Sequence, residues 1–208
     1  MSEKKTYQVL RIDSSVRRED SVSRRLGDVV MGRLADSHPD IQSSVIDLGA
    51  GMPHIDGDWV TANFTPAELR SGTQRARLGR SDEAVHALSM ADAVVLTAPV
   101  YNFSVPSVLK AWIDHVCRAG MTFRYTADGP QGLLADRPVY LAMASGGVPF
   151  GSDVDFASTY LRQVFRFIGI EDVRLIAAEG VATDPDAAWD KALQMIDDYF
   201  SNDAAAVA

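Results

Sequence analysis

The chain holds a single cysteine, Cys117. No internal disulfide can form, and no CxxC pair exists for metal or thiol redox chemistry. Cys117 follows Val116 in an apolar helical pattern and reads as a packed thiol rather than a nucleophile. Positive charge is in deficit: 20 Lys and Arg stand against 28 Asp and Glu, a net charge of -8. No nucleic-acid partner is expected, because phosphate backbones are held by basic surfaces. No apolar run approaches the roughly 20 residues that cross a bilayer. The opening MSEKKTYQVL enters a strand without the apolar region of a signal peptide. No membrane association and a cytoplasmic location are expected. Familiar catalytic patterns are missing too. HExxH, GxSxG and any Cys–His arrangement are absent, and no GxGxxG follows the first strand. His38, His54, His86 and His115 are scattered, and each is expected on the surface rather than in catalysis.

What is present is a 208-residue chain, 47% hydrophobic, long enough for one domain with a sizeable core. Strands are predicted at Tyr7 to Ile12, Ser43 to Leu48, Ala93 to Thr97, Pro138 to Ala144 and Val173 to Ala178. Helices are predicted at Ser23 to Ser37, Pro66 to about Met90 (with a break near Gly72 or Gly79), Ser104 to Gly120, Phe156 to Ile168 and Pro185 to Phe200. Gly49 to Thr65 reads as a long irregular connector, Met121 to Leu134 as a small hairpin or excursion above the sheet, and Asn202 to Ala208 as a loose tail. Strands alternating with helices predict an α/β fold, a doubly wound five-stranded parallel sheet. The flavodoxin-like order 2-1-3-4-5 fits best, and the dinucleotide fold is the rival.

In that order the first, third and fourth strands are neighbours, and the unusual chemistry follows those three. After strand one, Ser14, Ser15, Ser21 and Ser23 surround a helix start. Free N–H groups and the positive end of the helix dipole make such a start a phosphate site. N-capping alone is the competing explanation for any one serine. No GxxxxGK[ST] loop is present, so a nucleoside triphosphate with magnesium is not expected. After strand three, the chain breaks at Ala98-Pro99, and Tyr101, Asn102 and Phe103 form a tip. Open α/β sheets bind ligands at such strand ends. Two exposed aromatics are explained by a flat ring resting on them, or by cover for the next helix start. After strand four, Gly146 and Gly147 let backbone approach a ligand and present N–H donors, or form an ordinary turn. Phosphate donors, an aromatic platform and a close backbone edge together describe a flavin mononucleotide, whose redox chemistry belongs to the cofactor.

On these residues the chain resembles the FMN-dependent NADH-azoreductases, also described as NADH:quinone oxidoreductases. The resemblance spans nearly the whole chain. It rests on AP-V-YNF at 98 to 103, AGMTFRYTADGPQGLL at 119 to 134, SGG at 145 to 147 and FIGI at 167 to 170. It implies a flavodoxin-like homodimer with two FMN sites at the subunit interface. Hydride passes from NADH to quinones and azo compounds by a ping-pong route. An azo bond cleaved to two amines needs four electrons, hence two rounds. It implies that Ser15 and the segment Ser21, Val22, Ser23 hold the phosphate and ribityl end. Val100, Tyr101, Asn102 and Phe103, with Pro99 at their start, would line the isoalloxazine. Ala144, Ser145, Gly146 and Gly147 would lie beside its polar edge. Family members often carry Ser-Arg-Gly-Gly in that last loop, and the arginine is absent here. Phe123, Tyr125 and Phe167 are the aromatics expected near the substrate face, Phe167 from either the same or the other subunit. A flavodoxin-like electron carrier without turnover is the alternative, and a flavin-free regulatory or structural domain is another. The connector at 49 to 65 and the excursion at 121 to 134 favour an enzyme with a walled pocket.

Overall fold

Two strands rich in Val, Leu and Ala, at residues 93–99 and 139–145, are buried along nearly their whole length and organise the chain around them. The computed structural model describes residues 6–207. In chain order the elements are β1 (Tyr7–Asp13), α1 (Val22–Ser37), β2 (Ile41–Asp47), α2 (Gly57–Phe64), α3 (Gly72–Met90), β3 (Ala93–Pro99) and α4 (Ser107–Val116). There follow β4 (Phe123–Thr126), β5 (Gly129–Gly132), β6 (Val139–Ser145), α5 (Ser158–Ile168), β7 (Val173–Glu179) and α6 (Pro185–Val207). Five strands pair in parallel in the order β2-β1-β3-β6-β7, the expected 2-1-3-4-5 arrangement. β6 is buried at every position, as a strand covered by helices on both faces must be. One face packs Val9, Val95 and Ala142 against α1 and α6 through Leu26, Val30 and Ile196. The other packs Leu96, Leu141 and Met143 against α3, α4 and α5 through Leu88, Trp112 and Phe165.

Several predicted segments differ. β2 begins two residues earlier and ends one earlier than predicted, and Leu48–Ala50 is a 3₁₀ turn started by Asp47, whose carboxylate accepts the Gly49 N–H at 2.9 Å. The connector contains α2, capped by Asp56 through the Trp59 N–H at 2.8 Å. Pro66 does not open α3. A 3₁₀ turn covers Ala67–Leu69, and a capping box of Ser71 and Gln74 starts the helix at Gly72. α3 then runs through Gly79 unbroken. α4 ends at Val116 instead of Gly120. The C-terminal tail is not loose: α6 continues to Val207. Met1–Lys5 and Ala208 lie outside the described residues.

Met121 to Leu134 does form a hairpin, β4 against β5. It does not lie above the strand ends that carry the three loops. α4 returns the chain to the edge where strands begin, and the hairpin stays there. The Leu133 N–H donates to Thr122 at 2.9 Å and the Leu134 N–H to Ile168, at the end of α5, at 3.0 Å. No helix of the described residues is long and apolar enough to cross a membrane.

Candidate functional site

At the carboxyl edge of the sheet the ends of β1, β3 and β6 stand side by side, so their loops meet. The first loop begins with two buried serines. Ser14 donates both its N–H (3.0 Å) and its hydroxyl (2.7 Å) to the Thr97 carbonyl oxygen, which ties the loop to β3. Ser15 is 1% exposed, and its hydroxyl accepts the Arg17 N–H at 3.3 Å. Ser21 caps α1 by accepting the Arg24 N–H. The Ser21 and Ser23 hydroxyl oxygens are 3.3 Å apart, and both residues are buried. The capping role anticipated for a lone serine is therefore real at Ser21. It leaves the N–H groups of Val22 and Ser23 as the ones a helix start turns toward an outside acceptor.

The second loop is a tight turn. Tyr101 and Ser104 exchange both backbone hydrogen bonds, at 2.9 and 3.1 Å. The two residues between them have positive φ, 49° at Asn102 and 70° at Phe103. This is the primed turn geometry that glycine and asparagine favour. Asn102 suits it; a bulky aromatic does not, and Phe103 is held there at a cost. Phe103 is also 56% exposed, so no packing of its own ring explains that conformation. The Phe103 carbonyl accepts the N–H of exposed Phe156 at 3.3 Å, which braces the tip from the next loop.

The third loop joins the second through the Val100 N–H, which donates to the Ala144 carbonyl at 2.8 Å. Ser145 is buried, and its hydroxyl accepts the Val148 N–H at 2.7 Å, so it shapes the turn. Gly146 and Gly147 are exposed and neither has positive φ. A Cβ on Gly147 would meet open space. The fold itself therefore does not require glycine there. Tyr101 closes the circle, its hydroxyl 3.5 Å from that of Ser15. Pro99, Val100, Tyr101, Asn102, Phe103, Ala144, Ser145, Gly146 and Gly147 thus gather with Ser15, Ser21, Val22 and Ser23 at one edge.

A charged network beneath the first loop was not anticipated from sequence. Asp13 ends β1 at 4% exposure. It accepts from Arg11 at 3.0 Å and from the Thr97 hydroxyl at 2.8 Å. Arg24 reaches Asp13 at 3.4 Å and Asp47 at 2.5 Å, and donates to the Ser15 carbonyl at 2.7 Å. Burial alone would raise the Asp47 pKa, but the Arg24 and Gly49 hydrogen bonds hold it below the usual carboxylate range. The sequence signal was a cation in the first turn of α1, where the helix dipole disfavours it unless carboxylates answer it.

Phe123, Tyr125 and Phe167 do not join this edge. Phe123 packs against Phe167, centroids 4.4 Å apart, and edge-on against Tyr125 at 5.4 Å. The three sit with the hairpin where strands begin, away from the chain's own loops. Phe123 is buried and Phe167 half-buried on the core, while Tyr125 is 76% exposed. Among the histidines, His54 and His86 are exposed and His38 stacks on Tyr7 at 3.7 Å. His115 corrects the surface expectation: it is 2% exposed, because the connector folds over it and the Pro53 carbonyl binds its Nε2 at 2.9 Å. Burial pushes the Cys117 thiol up to about 11, which keeps it protonated and unreactive.

Residues 7–200 match the family described as flavodoxin-like fold. A relative from Thiobacillus denitrificans, FMN-dependent NADH:quinone oxidoreductase, is 46% identical over 96% of this chain and 98% of its own. One of that name from Jannaschia sp. is 44% identical over 91% and 96%. A solved FMN-dependent NADH-azoreductase from Bacillus anthracis, in complex with FMN, superposes with a TM-score of 0.85. It is 27% identical, covering 95% of this chain and 99% of that one.

Proposed function

The chain belongs to the flavodoxin-like fold family, and from that premise we propose that it is an FMN-dependent NADH:quinone oxidoreductase that also cleaves aromatic azo compounds. The observation that carries this reading is the convergence of the three loops around a strained aromatic tip, in a chain so similar over its length to enzymes of that name. When bound, FMN supplies the redox chemistry, taking hydride from NADH and giving it with a solvent proton to the acceptor.

The residues present fit that group. The N–H groups of Val22 and Ser23, with the Ser15, Ser21 and Ser23 hydroxyls, suit a terminal phosphate. Arg24 Nε is a buried N–H without a partner among the described residues, and the same guanidinium donates to the Ser15 carbonyl. Tyr101, Asn102 and Phe103, with Pro99 and Val100 at their root, support the ring. The Gly146–Gly147 backbone faces its polar edge, with Ala144 and Ser145 fixing that backbone. Binding and orientation are the protein's main contributions to rate. An electron carrier needs only the flavin edge; the relatives are named for turnover.

The acceptor side is built by two copies. Tyr125 is exposed on a hairpin that cannot reach its own flavin loops, and a two-fold partner would bring it over the neighbouring site. Phe123 and Phe167 back it. The purified protein should be yellow, carry one FMN per chain and oxidise NADH steadily with a quinone. Release of FAD, or a colourless protein with no NADH oxidation after FMN is added, contradicts the proposal.

A further inference from the structure

Three segments of the chain meet at Gly49, in the 3₁₀ turn that follows β2. A Cβ placed there would lie 2.9 Å from Arg24 Nη2, 2.9 Å from the Ser15 carbonyl oxygen and 3.0 Å from Asp47 Oδ1. Gly49 has no positive φ, so its backbone conformation does not call for glycine. The space does. Arg24, in the first turn of α1, fills that space with a side chain 13% exposed. Its Nη2 donates to the Ser15 carbonyl at 2.7 Å and to Asp47 at 2.5 Å, and its Nη1 lies 3.4 Å from Asp13. Two carboxylates flank this guanidinium, so it is not a free charge offered to a ligand. What it holds is a peptide bond.

The peptide joining Ser15 to Val16 is trans. In a planar trans peptide the N–H points opposite to the carbonyl. With the carbonyl drawn to Arg24, the Val16 N–H is turned the other way. It has no hydrogen-bond partner among the described residues. Its neighbours are taken: the Ser14 N–H by the Thr97 carbonyl and the Arg17 N–H by the Ser15 hydroxyl. Val16 itself is 58% exposed, so its side chain packing does not set this orientation.

We propose that Arg24, seated against Gly49, is a positioning residue for the flavin phosphate: it fixes the Ser15–Val16 peptide so that the Val16 N–H joins those of Val22 and Ser23 as a phosphate donor. The proposal rests on the flavin reading above. Arg24 acts through the peptide and touches no ligand. A planar fork is required, because one group must reach a carbonyl and the carboxylates of two strands at once, which a single ammonium does not do. A donor already fixed in place needs no ordering when the phosphate arrives.

The test compares FMN with riboflavin, which has the same ring and ribityl chain but no phosphate. Protein loaded with either flavin is diluted, and its dissociation constant is read from the recovery of flavin fluorescence. The parent protein should hold FMN more tightly than riboflavin. Arg24→Met and Gly49→Ala should each weaken FMN by roughly 10- to 150-fold and leave riboflavin unchanged. Arg24→Lys, which keeps the charge, should lose as much as Arg24→Met. Gly49→Ala leaves every charge in place, so it tests the lock even if Arg24→Met does not leave a stable protein. Equal weakening of both flavins would make Arg24 a prop of the fold and overturn the proposal. Full FMN affinity in Arg24→Lys, unchanged FMN affinity in Gly49→Ala, or a parent that holds both flavins equally would overturn it as well. A parent that binds neither flavin overturns the flavin reading itself, a result distinct from all of these.

Discussion

Phe103 holds a φ of 70° that costs a non-glycine residue on the order of 1–3 kcal/mol. Glycine at this position relieves that strain but removes the ring. Phe103→Gly should therefore leave the thermal stability of the flavin-free protein unchanged or raise it by up to about 1 kcal/mol, while FMN affinity falls. A parallel loss of stability and affinity would show that the ring serves the fold. Ser23 offers a second test. Its buried hydroxyl lies near that of Ser21, and Ser23→Ala should weaken FMN by about 1.5–3 kcal/mol through a lost charge-assisted bond. Acceptor preference should not move; a shift in preference at constant FMN affinity would remove Ser23 from the phosphate loop. The serines and the aromatic tip were legible because residue type and place along the chain announce them. Asp13 and Thr97 were not, because their bond spans 84 positions and neither residue is unusual where it stands. His115 was misplaced for a related reason: the chain that buries it lies around Pro53, far off in sequence.

Local signals behave differently at the level of elements. Apolar runs announced all five sheet strands, and the turn at Asp128-Gly129 announced the hairpin. α2 was hidden, since its eight residues bury only Trp59 and Ala62 and such a short helix shows no clear period. The hairpin is seated by a close approach: a Cβ on Gly132 would fall 2.2 Å from the Gly169 nitrogen at the end of α5. Gly132→Ala should displace the hairpin, lowering kcat/KM for bulky azo acceptors while FMN affinity, which we assign to the other edge, stays the same. Equal losses in both would mean the hairpin matters only for folding. The loop before α5 is held by Asp155, which accepts from the N–H groups of Gly151, Ala157 and Ser158 and from the Ser158 hydroxyl. Burial alone would raise its pKa, but these donors hold it below the usual carboxylate range. A depressed carboxylate contributes stability above its unfolded pKa, about 4, and loses it as pH falls through the folded value. Asp155→Ala should cost about 1–2 kcal/mol at neutral pH, and the difference from the parent protein should shrink below about pH 4. A pH-independent difference would assign the loss to packing.

For the whole molecule, the sheet order was readable in advance because crossover handedness leaves few arrangements. The separation of the aromatic hairpin from the edge proposed for the flavin was not, since it depends on where α4 stops. Sedimentation of the FMN-loaded protein should show a dimer at micromolar concentration, and a fully active monomer would contradict the shared site. The same separation has a consequence for allelic complementation. A chain altered at Phe103 keeps a sound hairpin, and a chain altered at Tyr125 keeps a sound flavin edge. Each defective alone, they assemble when co-expressed into a mixed pair with one doubly damaged site and one untouched site. Two inactive alleles should thus restore activity in one cell, as expected when one catalytic centre is assembled from the products of both.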